Sequence, residues 1–287
     1  MTLLQSILLG ALQGLTEFLP VSSSGHLKIC EKLFKLEEVP VLFDVILHLA
    51  TLLAVFIFFR KEIGKFFAVL FRWILRKPEP ENQTAGNQST GAQTESLCKT
   101  DKAGQRTIIA ILITTFITGV IGIVTSKLIP ELPVKFVFIG FFVTSAFLIV
   151  SGILSKKKNT IDYTGITIKQ SIAVGIMQGL GTLPGVSRSG STIAGSLFTG
   201  VKRNLAGEYS FIVSIPAILG AFILELKDLD TMTSSISPLT LLAGCLAAFI
   251  TGYFALAVLM KIIKKGKLEW FAAYLIPAGI LGLIFIA

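Results

Sequence analysis

Charge is scarce in this 287-residue chain. Only 15% of its residues are Asp, Glu, Lys or Arg and 53% are hydrophobic, where ordinary soluble domains carry about 25% charged residues. That balance excludes a soluble globular domain and reads as a polytopic membrane protein. Cysteine is scarce too. Cys30, Cys98 and Cys245 are odd in number and far apart, so neither a disulfide framework nor a cysteine metal site is expected. No basic residue precedes Lys28, so the charged start of a cleaved signal peptide is missing and none is expected. The chain has no Walker A string, no HExxH, no EF-hand loop and no GxSxG elbow. The net charge of +9 sits in loops between apolar runs. It is a topology signal, and no nucleic-acid partner is expected.

Six apolar runs are long enough to span a bilayer, which takes roughly 20 helical residues. They lie near 41–60, 107–126, 134–154, 209–226, 239–262 and 269–286. One polar segment, 78–105, is rich in Gly, Ser, Thr, Gln and Asn and reads as a flexible loop. Cytoplasmic loops are enriched in Lys and Arg. The loop from Arg60 to Arg106 and those around Lys156–Lys169, Lys202–Arg203 and Lys261–Lys267 hold 19 of the 26 basic residues; six fall in the opposite loops. The first set is therefore assigned inside.

Two polar stretches repeat. Ile7–Leu27 reads ILLGALQGLTEFLPVSSSGHL and Ile172–Thr192 reads IAVGIMQGLGTLPGVSRSGST, with nine of 21 positions identical at a constant offset of 165. Each is apolar for about three helical turns and then breaks at Pro20 or Pro184 into Ser and Gly. Irregular backbone at membrane depth is tolerated only where protein buries it or water lines it, so each stretch reads as a re-entrant helical hairpin. The expected fold is an all-α polytopic membrane protein built as an inverted repeat. Each half holds one re-entrant hairpin plus three transmembrane helices, in residues 1–155 (hairpin 3–34) and 165–287 (hairpin 168–200). Each half crosses an odd number of times, so the second copy is inserted upside down, and the two Ser/Gly turns meet near the midplane.

The copies have diverged in chemistry. Gln13 and Glu17 are four apart and share a helix face. Gly10/Gly14 and Gly175/Gly179 form two GxxxG pairs suited to close packing. Glu17 lies inside the apolar string LTEFLP, where an ionisable group is costly and marks function. VSSSGH (21–26) offers Ser22, Ser23 and His26: hydroxyls, small residues for an anion-binding nest, and an imidazole for acid–base work. Asp44 and His48, one turn apart on the next run, match Ser210 and Ser214 in the second copy. Asp44 reads as a supporting group, and His48 as a weaker candidate for direct chemistry than His26. PGVSRSGST (184–192) carries Arg188, a permanent cation able to grip phosphate oxygens bidentately, with Ser187, Ser189 and Thr192 as further donors. Together these describe a phosphate-handling site in a membrane protein.

QGLTEFLPVSSSGH (13–26) and PGVSRSGST (184–192) resemble the two signature motifs of the bacterial undecaprenyl-diphosphate phosphatases, or bacitracin-resistance proteins, and the resemblance runs over essentially the whole chain. It implies a bacterial plasma-membrane enzyme that removes one phosphate from undecaprenyl diphosphate, recycling the lipid carrier of cell-wall synthesis, with a divalent cation, Mg or Ca. The family's acidic pair falls on Gln13 and Glu17, the first often Glu in the family and Gln here. Its hydroxyl and imidazole fall on Ser23 and His26, and its phosphate motif on Ser187, Arg188, Ser189 and Thr192. On this reading Ser23 is the nucleophile, with a water activated by Glu17 as its rival, His26 is the general acid or base, and Glu17 is the metal ligand, with Ser22 among the phosphate donors. The site is expected to open to the outer face. The rival reading is a polyprenyl-phosphate carrier or flippase without hydrolytic turnover.

Overall fold

The computed structural model describes residues 1–36, 41–79, 96–128, 132–157, 165–225 and 236–286. Eleven helices are found among the described residues: α1 Leu3–Phe18, α2 Ser23–Leu33, α3 Val41–Phe58, α4 Arg60–Ile74, α5 Asp101–Leu128, α6 Lys135–Lys157, α7 Ile168–Leu180, α8 Arg188–Phe198, α9 Arg203–Glu225, α10 Pro238–Lys265 and α11 Glu269–Phe285. Those that carry Asp101–Leu128, Lys135–Leu154, Arg203–Leu224 and Pro238–Lys265 are long and apolar enough to cross a membrane. The chain is a multi-pass membrane protein, as its composition requires. The last expected span is an apolar helix of 17 residues, α11.

The duplication is visible from the first helical cap onward. Thr2 caps α1, accepting from the Gln5 amide at 3.3 Å while Gln5 Oε1 accepts from the Thr2 amide at 2.7 Å. Thr167 and Gln170 repeat this capping box at 3.3 and 2.9 Å, again 165 residues on. Such reciprocal caps satisfy donors that a helix start leaves open. The second arms also start alike. Ser22 and Ser187 are the N-caps of α2 and α8, accepting from the Gly25 and Gly190 amides at 3.4 and 3.1 Å. Each short helix thus stops at the polar turn and resumes after it, forming the pairs α1–α2 and α7–α8.

The halves interlock by exchanging partners. α1 of the first half packs along α10 of the second, and α7 of the second packs along α5 of the first. The GxxxG pairs make this possible. A Cβ on Gly10 would strike the Gly244 backbone, and one on Gly14 would strike Thr251 and the Ala248 carbonyl. Gly175 and Gly179 likewise lie against Ile117 and Ile121. With little hydrophobic drive between helices in lipid, close backbone approach and hydrogen bonds carry the association. Ser6 Oγ donates to the Thr240 carbonyl at 2.6 Å, and Thr114 Oγ1 donates to the Ser171 carbonyl at 2.9 Å.

Two expectations need correcting. The long inside loop from Arg60 is not all loop: the chain bends by 77° after Phe58 and forms α4. Phe66 and Val69 of α4 are buried, while Phe67, Phe71 and Trp73 are exposed. Nor is 78–105 flexible to its end, because α5 begins at Asp101. Arg72 grips Asp101 bidentately, at 2.7 and 2.5 Å, and Leu97 is fully buried. The polar segment cannot fold alone, but this end of it docks on α4. Residues 80–95 lie outside the described residues.

Candidate active site

The two Ser/Gly turns meet. Arg188, the first residue of α8, forms an ion pair with Glu17 near the end of α1. The Glu17 side chain is 3% exposed and that of Arg188 23%, so the carboxylate is fixed while the guanidinium still faces a cavity. The other Glu17 oxygen accepts from Ser23 Oγ at 2.7 Å and from Gln13 Nε2 at 3.1 Å. Gln13 is itself fully buried, and its Oε1 has no hydrogen-bond partner among the described residues.

A cavity of about 400 Å³ opens beside this cluster. Its walls include Glu17, Ser22, Ser23, Ser24, Ser187 and Arg188 from the two turns, Asp44 and His48 from α3, Thr118 from α5, and Ala217–Phe222 positions of α9. The N-terminal ends of α2 and α8 both face it. Open amides and the positive end of the helix dipole favour an anion there. Ser22 sits at φ +70°, a region a non-glycine residue occupies only under constraint, and its hydroxyl is spent on the cap.

His48, to which the sequence gives little direct chemistry, lies beside Glu17. Its Nε2 lies 3.6 Å from Glu17 Oε2, and its Nδ1 is 2.8 Å from the Asp44 carbonyl. A carbonyl only accepts, so Nδ1 carries the hydrogen and Nε2 is the ring nitrogen that faces the Glu17 carboxylate. The Asp44/His48 spacing was the available signal, but nothing in it says which residue the face meets. His26 is not among the residues lining the cavity. Its Nδ1 is 2.8 Å from the Ser22 carbonyl and its Nε2 is 2.7 Å from the Tyr274 hydroxyl. Its ring stacks against Phe141 and Tyr274, with centroids 5.2 and 5.7 Å away.

The remaining members of the second motif buttress the turn. Ser187 takes the backbone amide of Gly190 and contacts Ser189 at 3.1 Å; its own amide donates to Thr144 Oγ1 at 2.9 Å. Thr192 is buried, returns its hydroxyl to the Arg188 carbonyl at 3.0 Å and contacts Ser210 of α9. Gly185, at φ +79°, lies where any Cβ would strike the Val137 backbone, so only glycine lets the turn pass α6. Among the described residues no group of three or more His, Cys, Asp or Glu side chains could hold a metal ion. The carboxylates that line the cavity are Glu17 and Asp44, and Gln13 turns its amide nitrogen, not its oxygen, to Glu17.

Known proteins match the sequence along nearly its whole length. The family described as Bacitracin resistance protein BacA matches residues 6–281. The undecaprenyl-diphosphatase of Treponema denticola is 46% identical over 280 residues, covering 98% of this chain and 96% of the relative. Those of Methanosphaera stadtmanae and Desulforapulum autotrophicum are each 38% identical, over 284 and 286 residues, with at least 97% of either chain covered.

Proposed function

The chain belongs to the bacitracin resistance protein BacA family, and on that premise we propose that it is a membrane phosphatase that hydrolyses undecaprenyl diphosphate to undecaprenyl phosphate and inorganic phosphate. The observation that carries this reading is the convergence of Arg188, Ser23 and Glu17 on one cavity at two helix N-termini. A carrier needs a binding site but no hydroxyl held 2.7 Å from a buried carboxylate.

The chemistry follows from those contacts. The terminal phosphate binds at Arg188 and the two helix starts, which neutralise its charge. Ser23 Oγ attacks the terminal phosphorus and passes its proton to Glu17, to which it already donates. The bridging P–O bond breaks, and the polyprenyl phosphate leaves. Water then cleaves the phosphoserine. Here His48 is the proton-handling imidazole, since its Nε2 faces Glu17, whereas the ring nitrogens of His26 are taken by Ser22 and Tyr274. A divalent cation, Mg or Ca, belongs to this proposal as a group that Glu17 would hold at the cavity wall and that would supply further charge neutralisation.

The same reading assigns the protein to the bacterial plasma membrane, as an inverted repeat with the cavity open to the outer face. In its support, the cavity is lined from the N-terminal half of α3 and the C-terminal halves of α5 and α9. Those are the helix ends opposite the loops that hold 19 of the 26 basic residues.

Phosphate release from undecaprenyl diphosphate by purified protein in detergent, with no gradient, is the test. Turnover is expected, with a phosphoserine at Ser23 after rapid quench. Tight binding without phosphate release would favour the carrier. Turnover without any phosphoserine would shift the nucleophile to a water activated by Glu17.

A further inference from the structure

The helix α4 is 15 residues long and carries three different faces. Phe66 and Val69 are buried, and Ile63 beside them packs against the core. Phe67, Phe71 and Ile74 form the second face. Four and three residues apart, they share one side of the helix, and they are 64, 62 and 68% exposed. Lys61, Lys65 and Arg72 form the third, again at helical spacing. Lys61 and Lys65 are exposed, whereas Arg72 is held by Asp101.

The helix lies where the membrane ends. It leaves α3 through a single residue, Phe59, at an angle of 77°. From His48 at the cavity to Phe58 is ten residues of α3, a rise of about 15 Å. That is half of a hydrocarbon core of about 30 Å. A cavity at the midplane therefore puts the bend at the membrane surface, and a bend this wide lays α4 along it. The protein contacts of α4 agree. Val69 meets Gly104, where a Cβ would lie 3.0 Å from it, and Arg72 meets Asp101. Both partners belong to the polar first turns of α5, ahead of the apolar run that starts near 107.

Charge favours one kind of neighbour. Residues 60–77 hold six basic side chains and one acidic one, Glu62. Arg72 is matched by Asp101, and Glu208 lies near Lys65, which still leaves a positive surplus. A helix with an apolar side and a basic side binds a lipid surface by both, and each basic residue near an anionic leaflet adds to the attraction. A second copy of this chain is the poorer occupant, because pairing like faces would bring two basic rows together.

We propose that α4 is a docking surface for anionic phospholipid on the side of the basic loops. Phe67, Phe71 and Ile74 enter the acyl boundary, while Lys61 and Lys65 reach the headgroup phosphates. The inference stands apart from the phosphatase reading. Such a contact pins the end of α3 that lies away from the cavity, and α3 carries Asp44 and His48 to the site.

The test uses full-length protein in vesicles of equal phosphatidylglycerol and phosphatidylcholine, with Cys30, Cys98 and Cys245 replaced by alanine. Nitroxides are attached to Lys61→Cys, Phe67→Cys, Phe71→Cys and Ile74→Cys, all exposed positions outside the core. Collision with oxygen, which concentrates in lipid, should dominate at 67, 71 and 74. Collision with a water-soluble nickel chelate should dominate at 61. Nickel dominance at all four positions puts α4 in water and overturns the proposal. Spin–spin broadening at 71 that unlabelled protein dilutes away puts a second copy on the face, and overturns it as well. A bimane at 71 reads the charge of the lipid. Phosphatidylglycerol brominated on its acyl chains should quench it about threefold more strongly than equally brominated phosphatidylcholine. In Lys61→Gln/Lys65→Gln that ratio should fall towards one. Equal quenching with both lysines present, or a preference that survives the double substitution, overturns the assignment of an anionic lipid.

Discussion

Replacing Arg188 by Ala removes two interactions at once, and they can be separated. The first is structural. Breaking one side of a buried ion pair typically costs roughly 3–5 kcal/mol, because a charge is left unpaired. Here Glu17 keeps the Ser23 and Gln13 hydrogen bonds, at 2.7 and 3.1 Å, and Arg188 is itself 23% exposed. The loss should therefore be lower, about 2 kcal/mol. It should be largely recovered in Glu17→Gln/Arg188→Ala, where no charge is stranded. The second interaction is catalytic. Losing a charge-assisted contact to a bound phosphate should cost roughly 2–4 kcal/mol of transition-state stabilisation, or about 30- to 1,000-fold in rate. Thermal unfolding in detergent reads the first, and phosphate release well below the midpoint reads the second. Arg188→Lys should regain stability but little activity, since an ammonium cannot reproduce the planar fork. Turnover within a few-fold of wild type in folded Arg188→Ala would refute the phosphate clamp.

The two histidines should behave differently. His48→Ala is expected to lower kcat by about 100-fold with little change in melting temperature. His26→Ala should mainly lower stability, by loosening α2 from α6 and α11, and turnover rates read beside melting curves distinguish the two. Gly10→Leu should destabilise the protein by at least about 1–3 kcal/mol, because α1 cannot approach α10; an unaltered melting point would contradict the packing. For sidedness, cysteines at Lys127 and Lys77 are compared in intact cells, with Cys30, Cys98 and Cys245 replaced. Lys127→Cys should react with a membrane-impermeant maleimide and Lys77→Cys should not. The reverse pattern would turn the cavity to the cytoplasm.

Much of the site was legible because membrane composition makes it stand out. Glu17 and Arg188 are conspicuous in apolar strings, and the constant offset brings their turns into correspondence before any coordinates. Helix faces were not legible across the gap between segments. His26 sits three residues beyond Ser23 and on the same side of α2, yet its ring is held by Phe141 and Tyr274, which only the approach of α6 and α11 brings there. His48 reaches Glu17 only because α3 happens to cross α1 there. α4 escaped notice because its basic residues read as loop charge. Its apolar side has meaning only once α5 lies beneath Phe66 and Val69.

The repeat also explains why one site forms rather than two. At the offset of 165, Ser23 corresponds to Arg188, Glu17 to Thr182 and His26 to Ser191. Ser23 and Arg188 are the first residues of α2 and α8, each behind a serine cap. Duplication therefore supplied two equivalent helix N-termini aimed at one cavity, both suited to an anion. One could then specialise as the hydroxyl and the other as the cation without moving the backbone. Had both kept serine, the phosphate would lack its guanidinium. Had both carried arginine, two cations would share one buried carboxylate, and the hydroxyl now held by Glu17 would be gone. The symmetric scaffold fixes where the two groups stand, and the asymmetric substitutions make the place chemically competent.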